Sequence, residues 1–486
     1  MKARLLLSFS LQIAIAVVLV SSNLAAQSTT SNGPGRLATS LNVWAPVASE
    51  HAGYGRTDGQ KLSAERGLTL DELQQMALAN NPTIGQANTG VKAAQGLTHQ
   101  AGLWPNPTVG YIGEEIRGGS FGGGEQGVFI QQNVILGGKL GLDRKIRAEE
   151  AKQAEAEAQE QKLRVENGVR IAFYESLAAQ RMVEMRKKLD ELAQDALETT
   201  RQLFNVGQAD QPDVLQAQVE ADQTDVAVLT SQQEQQQAWR VLASIVGNPE
   251  LPLTPLAGDL EDLPTIDSEQ MLQAILSNSP AMKIARLGAT RAGIEVTRSQ
   301  REIVPDLSLR AGYMNSLEQL GSVPPKAAGS ESFAEVGVNL PLFNRNQGNI
   351  QAAKADQERA KLEVQRVSLV LRQRAAPLLE SYASARAVAE RYKTRTLPNA
   401  RQAHQLYLEK YHEGAAAYPQ VLIAQRTLFQ LEANYIHTLE TAWINAAALQ
   451  GLLLTDGLDL PAGPAELDRP VREINMPVQE NPGVYP

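Results

Sequence analysis

The stretch TLDELQQMALANNP at residues 69–82 recurs in a diverged form, DSEQMLQAILSNSP, at residues 267–280, about 198 positions later. Both copies begin with Thr or Asp placed three residues before Glu or Gln. This is the spacing of a capping box, in which two side chains satisfy the free backbone amides at the start of a helix. Both copies end at a proline, where a helix must break or restart. The pattern predicts a capped helix at the start of each of two repeated units.

The ends of the two units correspond as well. The segment Phe204-Asn205-Val206-Gly207 matches Tyr411-His412-Glu413-Gly414, and Pro212, Val214, Leu215 and Gln218 match Pro419, Val421, Leu422 and Gln425. So many coincidences in the same order indicate a tandem duplication. We therefore predict a first repeat over residues 67–247 and a second over residues 267–455. Four prolines mark residues 248–266, between the repeats, as an extended linker.

The N-terminus has the features of a secretory signal peptide. Lys2 and Arg4 precede an apolar run over residues 5–20, and small residues follow. The run is short for a membrane span, which favours a cleaved signal peptide at residues 1–26 over the alternative of an N-terminal anchor.

Two further segments are expected to lie outside the repeats. Residues 27–66 are rich in Gly, Ser and Thr, and we predict that they are disordered. Residues 456–486 form a proline-rich C-terminal tail. The chain has no cysteine, so we expect no disulfide, no thiol chemistry and no lipid anchor on cysteine.

Each repeat contains a pair of segments with the alternation of β-strands. In Leu307–Tyr313 the odd positions are apolar, and in Ala334–Leu342 the even positions are apolar. We predict strand pairs within residues 106–136 and 304–343. Two surface hairpins of a soluble domain are one interpretation. Four strands make no closed barrel, however, whereas three copies would supply about 12 antiparallel strands without an open edge.

The sequence predicts long helices more strongly than it predicts the strands. Residues 140–204 contain no proline and are rich in Ala, Glu, Gln, Lys, Arg and Leu, which favour helix. At 1.5 Å per residue, such a helix would be roughly 100 Å long. Apolar or small residues then recur with steps of 3 and 4, which is the spacing of coiled-coil packing. They are Val214, Ala217, Ala221, Thr224 and Val228 in the first repeat, and Val421, Ala424, Leu428, Leu431 and Tyr435 in the second.

Composition and motifs argue against several other functions. The formal net charge is −9 and no basic patch is concentrated, so nucleic acid is not expected as a partner. The five histidines are scattered and lack the spacing of a metal site. The glycine-rich residues 118–124 lack the Gly-Lys-Ser/Thr of a phosphate loop. We predict that the chain is not an enzyme, with no catalytic residues, no bound metal and no cofactor.

Two copies of a capped helix, a strand pair and a long helical hairpin resemble the TolC-like outer-membrane efflux protein family. The motifs that carry this resemblance are Leu70 through Pro82, Val206-Gly207 through Leu215, and Leu397-Pro398-Asn399-Ala400 through Leu422. The resemblance implies a mainly α protein with a β-barrel portion. Its protomer has long coiled-coil helices and four transmembrane strands. Three protomers form a barrel of about 12 strands, joined to a periplasmic α-barrel.

The resemblance also implies a location and partners. The chain would be an outer-membrane channel subunit that extends into the periplasm and contacts outer-membrane lipid. As a homotrimer it would passively conduct a substrate delivered by an inner-membrane pump and a periplasmic adaptor. A pore-less periplasmic coiled-coil scaffold is the alternative from another class, although it would not need amphipathic strands in both repeats.

A finer likeness concerns the cargo. The segments Gly102 to Pro107 and Leu136-Gly137-Gly138-Lys139 are similar to those of the members that serve cobalt–zinc–cadmium pumps of the resistance-nodulation-division (RND) type. Heavy-metal cations are therefore the expected cargo. Efflux of drugs or other organic compounds, and type I protein export, remain as alternatives.

The resemblance implies that the turns of the two helical hairpins contact the adaptor. The glycine in each turn has a physical reason, since a tight reversal of a helix usually needs a positive φ. The tip residues expected to contact the adaptor are Val206, Gly207, Asp213, Val214, Leu215, Glu413, Gly414, Val421 and Leu422.

In well-known relatives, acidic residues of the second repeat constrict the pore entrance, but the matching positions here are Gln420 and Ile423. Asp210 and Asp213 of the first repeat could instead form a ring of carboxylates when three copies assemble. The alternative is that Asp213 serves as a helix cap, and the two roles can coexist.

Overall fold

The computed structural model describes residues 67–459, except residues 115, 119–120, 123, 321–325 and 414–417. The expected signal peptide and N-terminal segment, and the tail from residue 460 onward, lie outside the described residues. Within the described part, the helices are α1 (Leu70–Asn80), α2 (Pro82–Ala101), α3 (Lys139–Asn205), α4 (Gln211–Val246), α5 (Ser268–Asn278), α6 (Pro280–Arg301), α7 (Gln347–Arg391), α8 (Leu397–His412) and α9 (Tyr418–Gln450). A π-helical turn, Tyr392–Thr396, joins α7 to α8.

The predicted helix starts are confirmed. Thr69 forms a full capping box at the start of α1, with its backbone N–H donating to Glu72 Oε2 at 2.9 Å. Asp267 Oδ1 accepts from the backbone N–H of Gln270 at 2.8 Å before α5. Asn81 then interrupts the helical path in an extended conformation, and its side chain caps α2 by accepting from Thr83 N at 3.0 Å. The two helices therefore meet at a fixed break.

Helices α3 and α4 form a long antiparallel hairpin, and the predicted long helix is confirmed. Helix α3 has 67 residues, equivalent to about 100 Å. Ala217 and Ala221 of α4 are fully buried against Ala193 and Leu197 of α3. Small side chains at these positions let the two backbones approach closely. Among the described residues, no helix combines the length and the apolar character needed to cross a bilayer.

The four main strands form one antiparallel sheet in the order β1-β4-β5-β6. Two-residue strands pair with each other in the glycine-rich connection of the first repeat. No described strand pairs with the outer edge of β1 or of β6, so both edges of the sheet are open. The strands are β1 (Thr108–Glu114), β2 (Arg117–Gly118), β3 (Phe121–Gly122), β4 (Glu125–Val134), β5 (Leu307–Leu320) and β6 (Lys326–Val338).

The last strand is shorter than the sequence indicates. The apolar alternation continues to Leu342, but β6 ends at Val338, and the chain to Asn346 is irregular. Pro341 has no backbone N–H to donate to a ladder, which explains why the periodic pattern outlasts the strand. The prediction of a strand up to Leu342 is therefore wrong by four residues.

The Gly-Gly-Lys segment turns the chain from β4 into α3. Gly137 and Gly138 have φ values of 73° and 71°, which side chains rarely adopt. Lys139 follows with a side chain only 3% exposed, and its Nζ lies 3.1 Å from Asp306 Oδ1. The same carboxylate oxygen accepts from the backbone N–H of Leu136 at 2.9 Å. This segment therefore fixes how the two repeats meet beneath the sheet.

The helices of the two repeats share a core. Phe173 of α3 and Trp239 of α4 are buried with Phe429 and Ile436 of α9. At its rim, Tyr174 stacks on Trp443, with ring centroids 3.8 Å apart. Aromatic side chains bury a large apolar area each, so these few rings stabilise the junction between the repeats.

We predict that Lys139→Met lowers the free energy of unfolding by about 1–3 kcal/mol, because it leaves a partly buried carboxylate without its cation. The matched control is Lys152→Met, which removes an exposed lysine of the same helix that pairs only with Glu149. That variant should lose at most about 0.5 kcal/mol. The measurement is chemical unfolding of the purified protein, and equal losses in the two variants would contradict the structural role of Lys139.

Candidate functional site at the helical tips

The turn between α3 and α4 closes the tip of the first repeat. Gly207 has φ 77°, and its N–H donates to Phe204 O at 3.0 Å. The N–H of Gln208 donates to Leu203 O at 2.8 Å. These two bonds form a Schellman motif, which satisfies the last carbonyls of α3. The positive φ expected at this glycine is confirmed.

The two aspartates of the first tip act together at the start of α4. Asp210 occupies the N-cap, and the Oδ2 of Asp213 accepts from the Asp210 backbone N–H at 3.2 Å. The capping role expected of Asp213 is therefore present in a modified form. Asp210 is the N-cap residue, and Asp213, the third residue of the helix, completes the capping box by accepting from the Asp210 backbone. Asp210 is exposed and Asp213 is half-buried. Both negative charges lie near the positive end of the helix dipole.

The second tip is described in part. Glu413 lies in an exposed turn after α8, and Gly414 falls outside the described residues. In α9, Val421 and Leu422 are both buried. The matching positions of the first repeat differ, since Val214 is half-buried and Leu215 is 59% exposed, compared with 7% for Leu422. The duplicated leucines therefore have different environments in the two hairpins.

Apolar side chains are exposed near both tips. Val206 is 69% exposed and Ile423 is 66% exposed, in addition to Leu215. Isolated exposed apolar residues are common on protein surfaces. These three, however, are near the turns of hairpins whose inner positions are well packed, so they give the tips an apolar surface.

The tips of the two hairpins are electrostatically linked. Burial raises the pKa of the Tyr411 phenol above its usual range, and the negative charge of Asp213 raises this pKa further. Because Tyr411 lies in the last turn of α8, the two tips are close enough for the charge of one to act on a group of the other. A phenol next to a carboxylate favours its protonated form.

A partly buried ion pair joins the two hairpins further from the turns. The guanidinium of Arg426 on α9 is paired with the carboxylate of Glu220 on α4, with Nε 3.2 Å from Oε1. Glu220 is almost completely buried, whereas Arg426 is half-exposed. Within the second hairpin, Arg401 of α8 is also paired with Glu432 of α9 at 2.9 Å. These pairs cannot be predicted from the sequence, because a charged residue on a helix carries no local pattern that indicates its partner.

The positions expected from relatives to carry acidic residues lie in a shallow groove between α8 and α9. Gln420 and Ile423 are two of its lining residues, and no lining side chain carries a charge. The others are Ala400, Ala403, Tyr407, Ala424 and Thr427. Among the described residues, the carboxylates nearest in sequence to the turns of the two hairpins are those of Asp210, Asp213 and Glu413.

The family model described as "Outer membrane efflux protein" matches residues 73–248 and 271–453. The chain belongs to the outer membrane efflux protein family. Membership of this family confirms the outer-membrane location and the prediction that the chain is not an enzyme. The two matched segments follow the two repeats inferred from the duplicated motifs.

This efflux protein also resembles individual relatives. It is 26% identical to the cobalt-zinc-cadmium resistance protein CzcC of Cupriavidus metallidurans, over 79% of this chain and 90% of that protein. Its structure matches that of CusC with a TM-score of 0.66 and 18% identity, covering 80% and 92% of the two chains. The outer membrane protein VceC of Vibrio cholerae gives a TM-score of 0.64 and 21% identity, covering 80% and 97%. The TolC-like fold is therefore confirmed.

For this efflux protein, we predict that Gly207→Ala lowers the free energy of unfolding by about 1–2 kcal/mol, because alanine is strained at positive φ. No atom lies within contact distance of a Cβ at Gly207, so the backbone conformation is the only cause of the loss. Gly96→Ala, within α2 and equally unobstructed, is the matched control. It should gain about 0.5–1 kcal/mol, since glycine disfavours helix interiors. Thermal unfolding measures both, and a stabilised Gly207→Ala variant would contradict the turn geometry.

Proposed function

We propose that the chain is the channel subunit of a tripartite efflux system, and that it works as a homotrimer. The observation that carries this proposal is the sheet. On one face Val109, Tyr111, Val128 and Ile130 are all exposed, with Val109 at 74%. The apolar residues of β5 and β6 on the same face, Leu309, Tyr313, Val336 and Val338, are exposed as well. An apolar face with open edges needs both a lipid surface and further strands.

Three copies meet both needs. The outer edge of β1 would pair with the outer edge of β6 in the next copy, giving an antiparallel barrel of about 12 strands with no edge. The same threefold arrangement would bring the helical hairpins side by side into a conduit. Exposed apolar residues on α4 and α7, such as Leu229 and Leu369, would then pack between copies. A pore-less scaffold leaves the apolar sheet face without a role.

The helical tips are the proposed contact with the periplasmic adaptor, which in turn links the channel to an inner-membrane pump. Val206, Gly207 and Leu215 supply an exposed apolar surface, and Asp213 and Glu413 supply charge beside it. Val214, Val421 and Leu422 support this surface from within their hairpins. Gly414, which falls outside the described residues, is proposed for the same contact from its match with Gly207 in the sequence. An apolar centre with a charged rim is typical of specific protein interfaces.

We predict that Leu215→Asp weakens binding of the purified cognate adaptor by about tenfold or more, because it replaces an apolar anchor by a charge. Leu253→Asp is the matched control, since Leu253 is also exposed but lies in the segment between the repeats. Calorimetry on the detergent-solubilised channel measures both affinities. Unchanged affinity of the Leu215→Asp variant for the adaptor would show that the first tip is not part of the interface.

Asp210 and Asp213 are proposed as a ring of carboxylates at the periplasmic entrance. Three copies would place like charges around a narrow opening, which raises the local concentration of cations. Their roles in capping α4 are compatible with this, because a capping carboxylate keeps its charge.

We predict that Asp213→Asn lowers the ratio of K⁺ to Cl⁻ permeability about twofold or more. Asparagine retains a side-chain oxygen that can accept from Asp210 N, so the helix start should persist without the charge. Asp71→Asn, in the first turn of α1, is the control for removing a carboxylate remote from the tips. Reversal potentials in planar bilayers give the ratio, and identical values for wild type and Asp213→Asn would exclude the ring.

Heavy-metal cations are the proposed cargo, on the basis of the similarity to CzcC. The Gly-Gly-Lys segment adds no support, because its role in the structure is to turn the chain and anchor Lys139. The test is growth of a strain that lacks only this channel. We expect reduced tolerance of cobalt, zinc or cadmium, restored by the wild-type gene. Sensitivity confined to organic drugs, or a defect confined to protein secretion, would assign one of the other cargoes.

A further inference from the structure

The second face of the sheet carries a different set of residues. Strand alternation and cross-strand register put Gly110, Phe129, Arg310, Gly312 and Phe333 on the face opposite to Val109 and Ile130. Four glutamates share this face: Glu114, Glu125, Glu331 and Glu335. Arg310 is the one basic residue of β1, β4 and β5, and β6 contributes only Lys326 at its far end. In a barrel whose apolar face meets lipid, this acidic face is the inner wall.

Two phenylalanines lie flat against this face instead of joining the apolar one. Phe129 covers Gly110 and Phe333 covers Gly312, each glycine being the direct cross-strand partner of its ring. A Cβ at either glycine would overlap the ring. Glycine is therefore required at these positions, because only a residue without a side chain leaves room for the ring to pack against the backbone. Both rings are half-buried although no second layer of the described chain covers them.

The guanidinium of Arg310 is held over these rings. Its Cζ is 4.3 Å from the centroid of Phe129 and 5.6 Å from that of Phe333. Both distances are within the range of cation–π attraction. A planar cation on two aromatic faces has a well-defined position, unlike an extended arginine in solvent.

The charge of Arg310 is only weakly compensated. Its cross-strand neighbour Glu335 is exposed, and the closest oxygen is 3.8 Å from Nη1, at the long end of ion-pair distances. Nε of Arg310 is buried and has no hydrogen-bond partner among the described residues. Such a pair is worth little as a stabilising contact. The arrangement fixes a positive charge in place without neutralising it.

We propose that Arg310, held by Phe129 and Phe333, is a selectivity-determining residue of the channel. Its positive charge on the inner wall limits the permeation of cations through the lumen of the barrel. The inference rests on the proposed trimer, in which three such charges lie at one level of an otherwise acidic pore. Fixed charges on the wall of a pore shift the local electrostatic potential that a permeating ion meets. Arg310 thus opposes the attraction of the glutamates for cations.

The test compares single-residue changes on this one cross-strand pair in planar bilayers under a KCl gradient. Arg310→Gln should raise the ratio of K⁺ to Cl⁻ permeability about two- to threefold. Glu335→Gln should lower it, and the double variant should return close to the wild-type value. Arg310→Lys retains the charge and should differ little from wild type. A purely structural role of Arg310 would not give effects of opposite sign that cancel.

The outcomes separate this inference from the proposed function. If the wild-type protein forms no conducting particle, the proposed channel itself is wrong and this inference is lost with it. If the wild type conducts and Arg310→Gln leaves the permeability ratio unchanged, only the role of Arg310 is overturned. If the Arg310→Gln variant fails to assemble, the Glu335→Gln variant provides the test. An unchanged ratio of K⁺ to Cl⁻ permeability in that variant would contradict a role of this pair in ion selectivity.

Discussion

The structure depends most on the unpaired edges of its four-stranded sheet. Backbone N–H and C=O groups along the outer edges of β1 and β6 have no partner strand among the described residues, and one face of the sheet is apolar and exposed. In contact with lipid, each unpaired backbone group costs several kcal/mol. In the proposed trimer, pairing of β1 with the β6 of another copy would remove this cost without adding any element.

The helices are compatible with the same proposed assembly. Alanines let α3 and α4 pack closely, so the hairpin is thin and its remaining apolar side chains point outward, available to neighbouring copies. Nearer the tips, polar contacts between the two hairpins accompany the apolar packing within them. The Glu220–Arg426 pair joins the hairpins of the two repeats, and Asp213 acts on Tyr411 across them. The largest apolar core thus lies where the repeats meet, and ion pairs and charge contacts join the hairpins nearer the turns.

Much of this architecture could be predicted from the sequence, because local rules determine it. The capping box at Thr69, the helix break at Pro82 and the positive φ of Gly207 depend on neighbouring residues alone. Other features depend on distant parts of the chain. Leu215 and Leu422 occupy matching places in the repeats but differ in burial, since only the tertiary arrangement decides which face of each helix is covered. The pairing of Lys139 with Asp306 and the Arg310 clamp span the two repeats, so no local pattern indicates them.

If the chain closes its sheet only as a trimer, the native mass of the particle will show it. The protein would be extracted from the outer-membrane fraction in a mild detergent and its mass measured by native mass spectrometry or light scattering with the detergent contribution removed. The account predicts a stable particle with three times the mass of the mature chain. A monomer recovered from the soluble periplasmic fraction would contradict it.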